Sequence, residues 1–210
     1  MAGNIKRKYD MILSHETAFA RSVALATIKP KPFSVWEVTI PIIFIFSYMK
    51  SKETREVFVQ NVMFTKKMAI QAAFDILKKG QTRESVMERI RSKTREMIAS
   101  VPGGIYSAEI RREQLKEIDL LIDHYSRLLN SQGNDYDSLV LNAYQTPDRL
   151  ADFFERLQEA EDSVGRAAHN TLGGSADTPT LERMKAAMKK SRLKETEKIF
   201  GTRLPSQNAQ

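Results

Sequence analysis

The chain of 210 residues has no cysteine, one tryptophan and three histidines, and each shortage removes a class of chemistry. Without thiols there are no disulfide staples and no thiolate metal sites, which fits a reducing compartment. A di-metal carboxylate bundle needs a glutamate three positions before a ligating histidine. Ile12, Leu121 and Arg166 stand there ahead of His15, His124 and His169. "HETAF", from His15, opens like the zinc-protease helix, but Phe19 occupies the position of the second histidine. The paired glycines Gly103–Gly104 and Gly173–Gly174 are followed by no lysine, as a phosphate-cradling loop requires, and no G-x-S-x-G occurs. Asp119 and Asp123 with His124 read as polar positions between the apolar ones of a helix, because adjacent helical residues face different ways. No metal or cofactor is expected, and a non-enzymatic role follows.

Glycine and proline are also scarce, at nine and seven residues, while hydrophobic residues make up 41%. Helix-forming Leu, Ala, Met, Glu, Lys and Arg dominate, and the chain is long enough to bury a substantial core. No strand pattern survives, since Pro41 interrupts the one candidate, "VTIPIIFIF". The expected fold is all-α, an antiparallel bundle of about five to seven helices with a loosely attached, basic C-terminal helix.

Helix boundaries follow from caps and breakers. A first helix spans about Asn4 to Ile28 and stops before Pro30 and Pro32. A central helix over 55–79 carries two apolar rows and ends at Gly80 as C-cap. Thr82 caps the next, to about Ser100, and Ser107 caps one to about Asn130. A short helix follows from about Asp137 to Tyr144. Thr146, Pro147 and Asp148 open a helix whose seam is Leu150, Phe153, Leu157, Ala160, Val164 and Ala167. Its opposite face is an acidic row that includes Asp152, Glu159 and Asp162. This seam is too short to demand an extended coiled coil. Residues 171–177, "TLGGSAD", read as a linker, and Thr178 with Pro179 opens a last helix to about Phe200. The organisation is thus an N-terminal amphipathic basic helix and Pro linker over 1–32, a bundle over 33–170, the linker, and a basic helix with a disordered tail over 178–210.

Charge is laid out in blocks. The net formal charge is +9 over residues 1–100, −7 over 101–177 and +5 over 178–210, which gives the overall +7. Such a chain can neutralise itself by folding back, so its basicity is weak support for nucleic-acid binding. The N-terminus lacks the apolar core and cleavage pattern of a signal peptide, and a cytoplasmic chain is expected.

One segment stands out from this polar background. Residues 33–49 form the most apolar stretch, but as a helix they reach only roughly 25 Å, short of the hydrocarbon core of about 30 Å. Glu37 and Pro41 also lie within it. Lys29 and Lys31 precede it, and Lys50, Lys52 and Arg55 follow, whereas a spanning helix biases its bases to one side. Either the segment is the centre of the core, or it rests on something outside the protein. In the second reading Phe33, Trp36, Ile42, Ile43, Phe44, Phe46 and Tyr48 touch a membrane surface or a protein partner, which includes a second copy of the chain. Lys50 and Lys52 would then meet anionic headgroups, as would Lys185, Lys189, Lys190, Arg192 and Lys194 of the last helix. Alternatively, that last helix docks on the acidic row before it, or its bases contact phosphates of a nucleic acid. The function expected is that of an interaction or scaffold protein, with a nucleic-acid-associated regulator as the runner-up.

Overall fold

The computed structural model describes residues 2–28, 54–100, 106–171 and 178–201. Segment 33–49, with Lys50 and Lys52, lies outside the described residues, as do 172–177 and the tail. The described residues form seven helices: α1 (Ala2–Thr27), α2 (Thr54–Lys79), α3 (Arg83–Ser100), α4 (Ala108–Asn130), α5 (Tyr136–Tyr144), α6 (Pro147–Thr171) and α7 (Thr178–Gly201). They contain no strand, so the fold is the expected all-α bundle.

Local chemistry ends each helix close to where caps and breakers place it. Gly80 takes φ +66°, the left-handed conformation that glycine adopts without a Cβ penalty, and stops α2. Two residues later the Thr82 hydroxyl accepts from Ser85 N at 3.2 Å and starts α3. Ser107 does the same for α4 through Ile110 N, and Thr146 for α6 through Arg149 N. The short α5 is held by a capping box, in which Asp135 accepts from Ser138 N at 2.8 Å and the Ser138 hydroxyl accepts from Asp135 N at 3.3 Å. Gly133 precedes it because a Cβ there would sit 2.5 Å from Ser138 Oγ.

The helices then pack by burying their apolar stripes. α2 lies at the centre, against α1 on one side and α4 on the other. Arg83 reaches Asp119 and Asp123 while Arg111 reaches Thr94, so α3 and α4 run antiparallel. Because α3 also reverses after α2, placing Arg89 on Asp75, α2 and α4 run parallel. The main cluster joins Ile12, Ala69, Ile70, Ala73, Ile118, Leu121, Ile122, Tyr125, Leu128, Phe153 and Leu157. At about 25 cal/mol per Å² of apolar area removed from water, such a stripe on each helix outweighs its intrinsic helix propensity as the source of stability.

The last helix is bound more firmly than a loose appendage. Met184, Arg192, Ile199 and Phe200 are all buried, and α7 packs on α1, α5 and α6. Its stripe is interrupted by a charge, which hides it from a purely hydrophobic reading: Met184, Met188 and Arg192 recur every fourth residue, and Ile199 follows on the same side.

Candidate functional site

A layer of charged and polar side chains crosses the middle of the bundle. Glu16 of α1 forms an ion pair with Lys66 of α2, and both are buried. Glu16 also accepts from the Tyr125 hydroxyl of α4 at 2.9 Å. Next to it the Thr65 hydroxyl donates to Glu117 Oε1 at 2.7 Å. Arg192 of α7 completes the layer by a two-pronged contact with Glu161 of α6, at 2.9 and 2.6 Å. Five helices thus contribute to one polar stratum, each from a position on its own apolar stripe.

Their surroundings drive the two buried glutamates apart. Burial by itself raises a carboxyl pKa, yet the adjacent Lys66 ammonium overrides it and holds Glu16 at about 2. Glu117 has no such partner. Burial, reinforced by the Glu161 carboxylate and only partly offset by the Thr65 hydroxyl, pushes it up to about 7. Burial also drops His124 to about 3, so its ring is neutral. His124 Nδ1 lies 2.6 Å from the Tyr144 hydroxyl, and the ring stacks on Phe153 at 4.2 Å between centroids. His15 stacks on Tyr136 and places Nε2 3.0 Å from Glu195 Oε1.

Two cavities flank the layer. A small one of about 20 Å³ is lined by His15, Glu16, Lys66, His124, Phe153 and Arg192 among others, and has room for one water. The larger, of about 100 Å³, lies between α2, α4, α6 and α7. Phe58, Val62, Val164, Met184 and Met188 give it apolar walls, and Asn61, Thr65, Gln114, Glu117 and Glu161 a polar side. Among the described residues no group of three or more His, Asp or Glu side chains is arranged to hold a metal ion.

The residues singled out from the sequence fare differently. Phe33, Trp36, Ile42, Ile43, Phe44, Phe46, Tyr48, Lys50 and Lys52 lie outside the described residues. In α7, Lys189, Lys190 and Lys194 are exposed. Arg192, expected on an anionic-surface face, is instead 4% exposed and committed to Glu161. Lys185 is half-buried and bonds Asp162 at 2.9 Å and Glu182 at 3.2 Å. His124, taken as a polar position between apolar ones, is buried, while its neighbours Asp119 and Asp123 do face outward, onto Arg83.

Sequence reasoning missed Glu16, Lys66 and Glu117. The available signal was a charged residue standing where an apolar one is due: Glu16 is four residues after Ile12 and four before Ala20. No family model, curated protein or solved structure matches this chain.

Proposed function

We propose that the protein is a non-enzymatic helical scaffold that holds the apolar segment 33–49 against an anionic membrane surface. The observation that supports this most is a single hydrogen bond at one end of the bundle: Arg55 Nε donates to the carbonyl of Ile28 at 3.0 Å. The last described residue before the segment and one of the first after it are therefore neighbours in space. Both basic flanks of the segment, Lys29 with Lys31 and Lys50 with Lys52, are joined in sequence to these two neighbouring points. A single straight traverse of a bilayer would need those attachments on opposite faces. No described helix is long and apolar enough to cross a membrane.

In sequence, these lysines bracket an apolar segment with aromatics at Trp36, Phe44, Phe46 and Tyr48. Each lysine near anionic lipid contributes about 1 kcal/mol, which adds to the burial of the apolar side chains in the interface. The nucleic-acid alternative is weakened by the internal engagement of Arg192 and Lys185, which leaves three of the five expected basic contacts of α7 on the surface.

Flotation with vesicles tests the proposal. The full chain is expected to float with phosphatidylserine-containing vesicles and not with phosphatidylcholine alone. Ile43→Asp with Phe46→Asp should abolish flotation while helical circular dichroism is retained. No flotation on either vesicle type, or unfolding by the double substitution, would show the segment to be core or a protein contact.

A further inference from the structure

The larger cavity contains an unexplained polar group. Asn61 of α2 is only 5% exposed, and neither its Nδ2 nor its Oδ1 has a hydrogen-bond partner. A buried amide left unsatisfied has lost its water without gaining a partner, so such a side chain is rare unless something meets it. Its neighbours on the polar side are already engaged: Thr65 donates to Glu117, and Gln114 Oε1 accepts from the Tyr106 hydroxyl at 2.8 Å. Asn61 alone presents both a free donor and a free acceptor, and it does so beside apolar walls.

We propose that this cavity between α2, α4, α6 and α7 binds a small neutral molecule of the primary-amide or lactam class, with Asn61 pairing its N–H and C=O. Three features select that class. An amide edge offers one acceptor and one donor side by side, the complement of the Asn61 side chain, whereas a cation would leave Nδ2 unmet. An anion is disfavoured because the cations in and beside the lining are already committed, Lys185 to Asp162 and Arg192 to Glu161. The volume of about 100 Å³ is below the roughly 150 Å³ of a cavity that accepts benzene, but this cavity opens to solvent, so a single small ring can enter it with its far edge in the mouth.

Thermal unfolding of the full chain in millimolar benzamide, toluene and sodium benzoate is the test, with the Asn61 side-chain NH₂ resonance as an independent readout. Benzamide should raise Tm and shift that resonance, while benzoate does neither and toluene raises Tm less. Asn61→Leu keeps the volume and removes both polar atoms, so it should bind benzamide at least tenfold more weakly and retain toluene. Should that variant not fold, the resonance shift in the unaltered chain decides alone. Equal responses to toluene and benzamide would mean an apolar void. No response to any probe would mean that water satisfies Asn61, and benzamide binding undiminished in Asn61→Leu would place the ligand elsewhere. Each of these overturns the assignment.

Discussion

Glu117 and Glu16 lie in the same stratum and respond to pH in opposite senses. The folded protein holds a proton on Glu117 up to about pH 7, while an unfolded chain releases it near 4.5. The fold therefore binds the extra proton between those values, and stability falls as pH rises through that window and stays lowered above it. Glu117→Gln retains an acceptor for Thr65 and removes the penalty. Its urea midpoint at pH 8 is expected to exceed that of the unaltered protein by the equivalent of about 2–3 kcal/mol, with little difference at pH 4.5. Glu16 has its folded pKa at about 2, below the ordinary 4.5, so its contribution is present above pH 4.5 and is lost as pH falls toward 2. Lys66→Met leaves that carboxylate buried without its cation and should cost about 3–5 kcal/mol. Pairing it with Glu16→Leu should recover much of the loss in a denaturant titration, because both desolvated charges are then gone. That recovery separates a stabilising ion pair from one that mainly sets which helix faces meet.

At the scale of the element, caps and stripes obey different rules. Caps are local, which is why Gly80, Thr82, Ser107 and Thr146 were legible from a few neighbouring residues. Gly80→Ala forces a Cβ into the left-handed region, where it would meet no other atom, and is expected to lower stability by about 1 kcal/mol from backbone strain alone. Thr82→Ala should cost about 1 kcal/mol through the lost Ser85 N–H acceptor. Both are read from thermal or denaturant midpoints.

The docking of α7 was legible in part: the sequence offered its docking on the acidic row of α6, and Lys185 does meet Asp162 of that row, but the burial of Arg192 against Glu161, outside the row, was not legible. Lys185, Lys189 and Arg192 form one basic line on paper, yet Arg192 also completes the Met184–Met188 row, and only a neighbouring carboxylate decides which reading holds. Arg192→Ala leaves Glu161 without its two-pronged partner. It should increase amide exchange throughout α7 while sparing α4, a local loss that hydrogen-exchange measurements resolve.

For the whole molecule, the groups of the stratum and His124 beside it add to the pH dependence set by the paired carboxylates Asp75 and Glu113, whose pKa values are also lowered. His124, held neutral down to about pH 3 where an unfolded histidine charges near 6.5, makes stability rise with pH between those values. Glu117 makes it fall between 4.5 and 7. The two slopes oppose one another from pH 4.5 to 6.5, so stability should be nearly flat there. It should decline steeply on acidification, as Glu16 and His124 act in the same direction. In Glu117→Gln the flat region should become a rise up to pH 6.5.

What the sequence determined by itself was set by short-range physics: the all-α class, the helix boundaries and the seam of α6. Cap geometry and periodicity act over a few residues, and no distant partner is needed to express them. Tertiary structure alone decided which stripes face each other. It turned charged residues on those stripes into a buried layer, drove Glu16 and Glu117 to opposite ends of the carboxyl range, and enclosed Asn61 beside a cavity. A side chain's solvation and partners belong to its position in space, and that position is decided only when residues far apart in the chain are brought together.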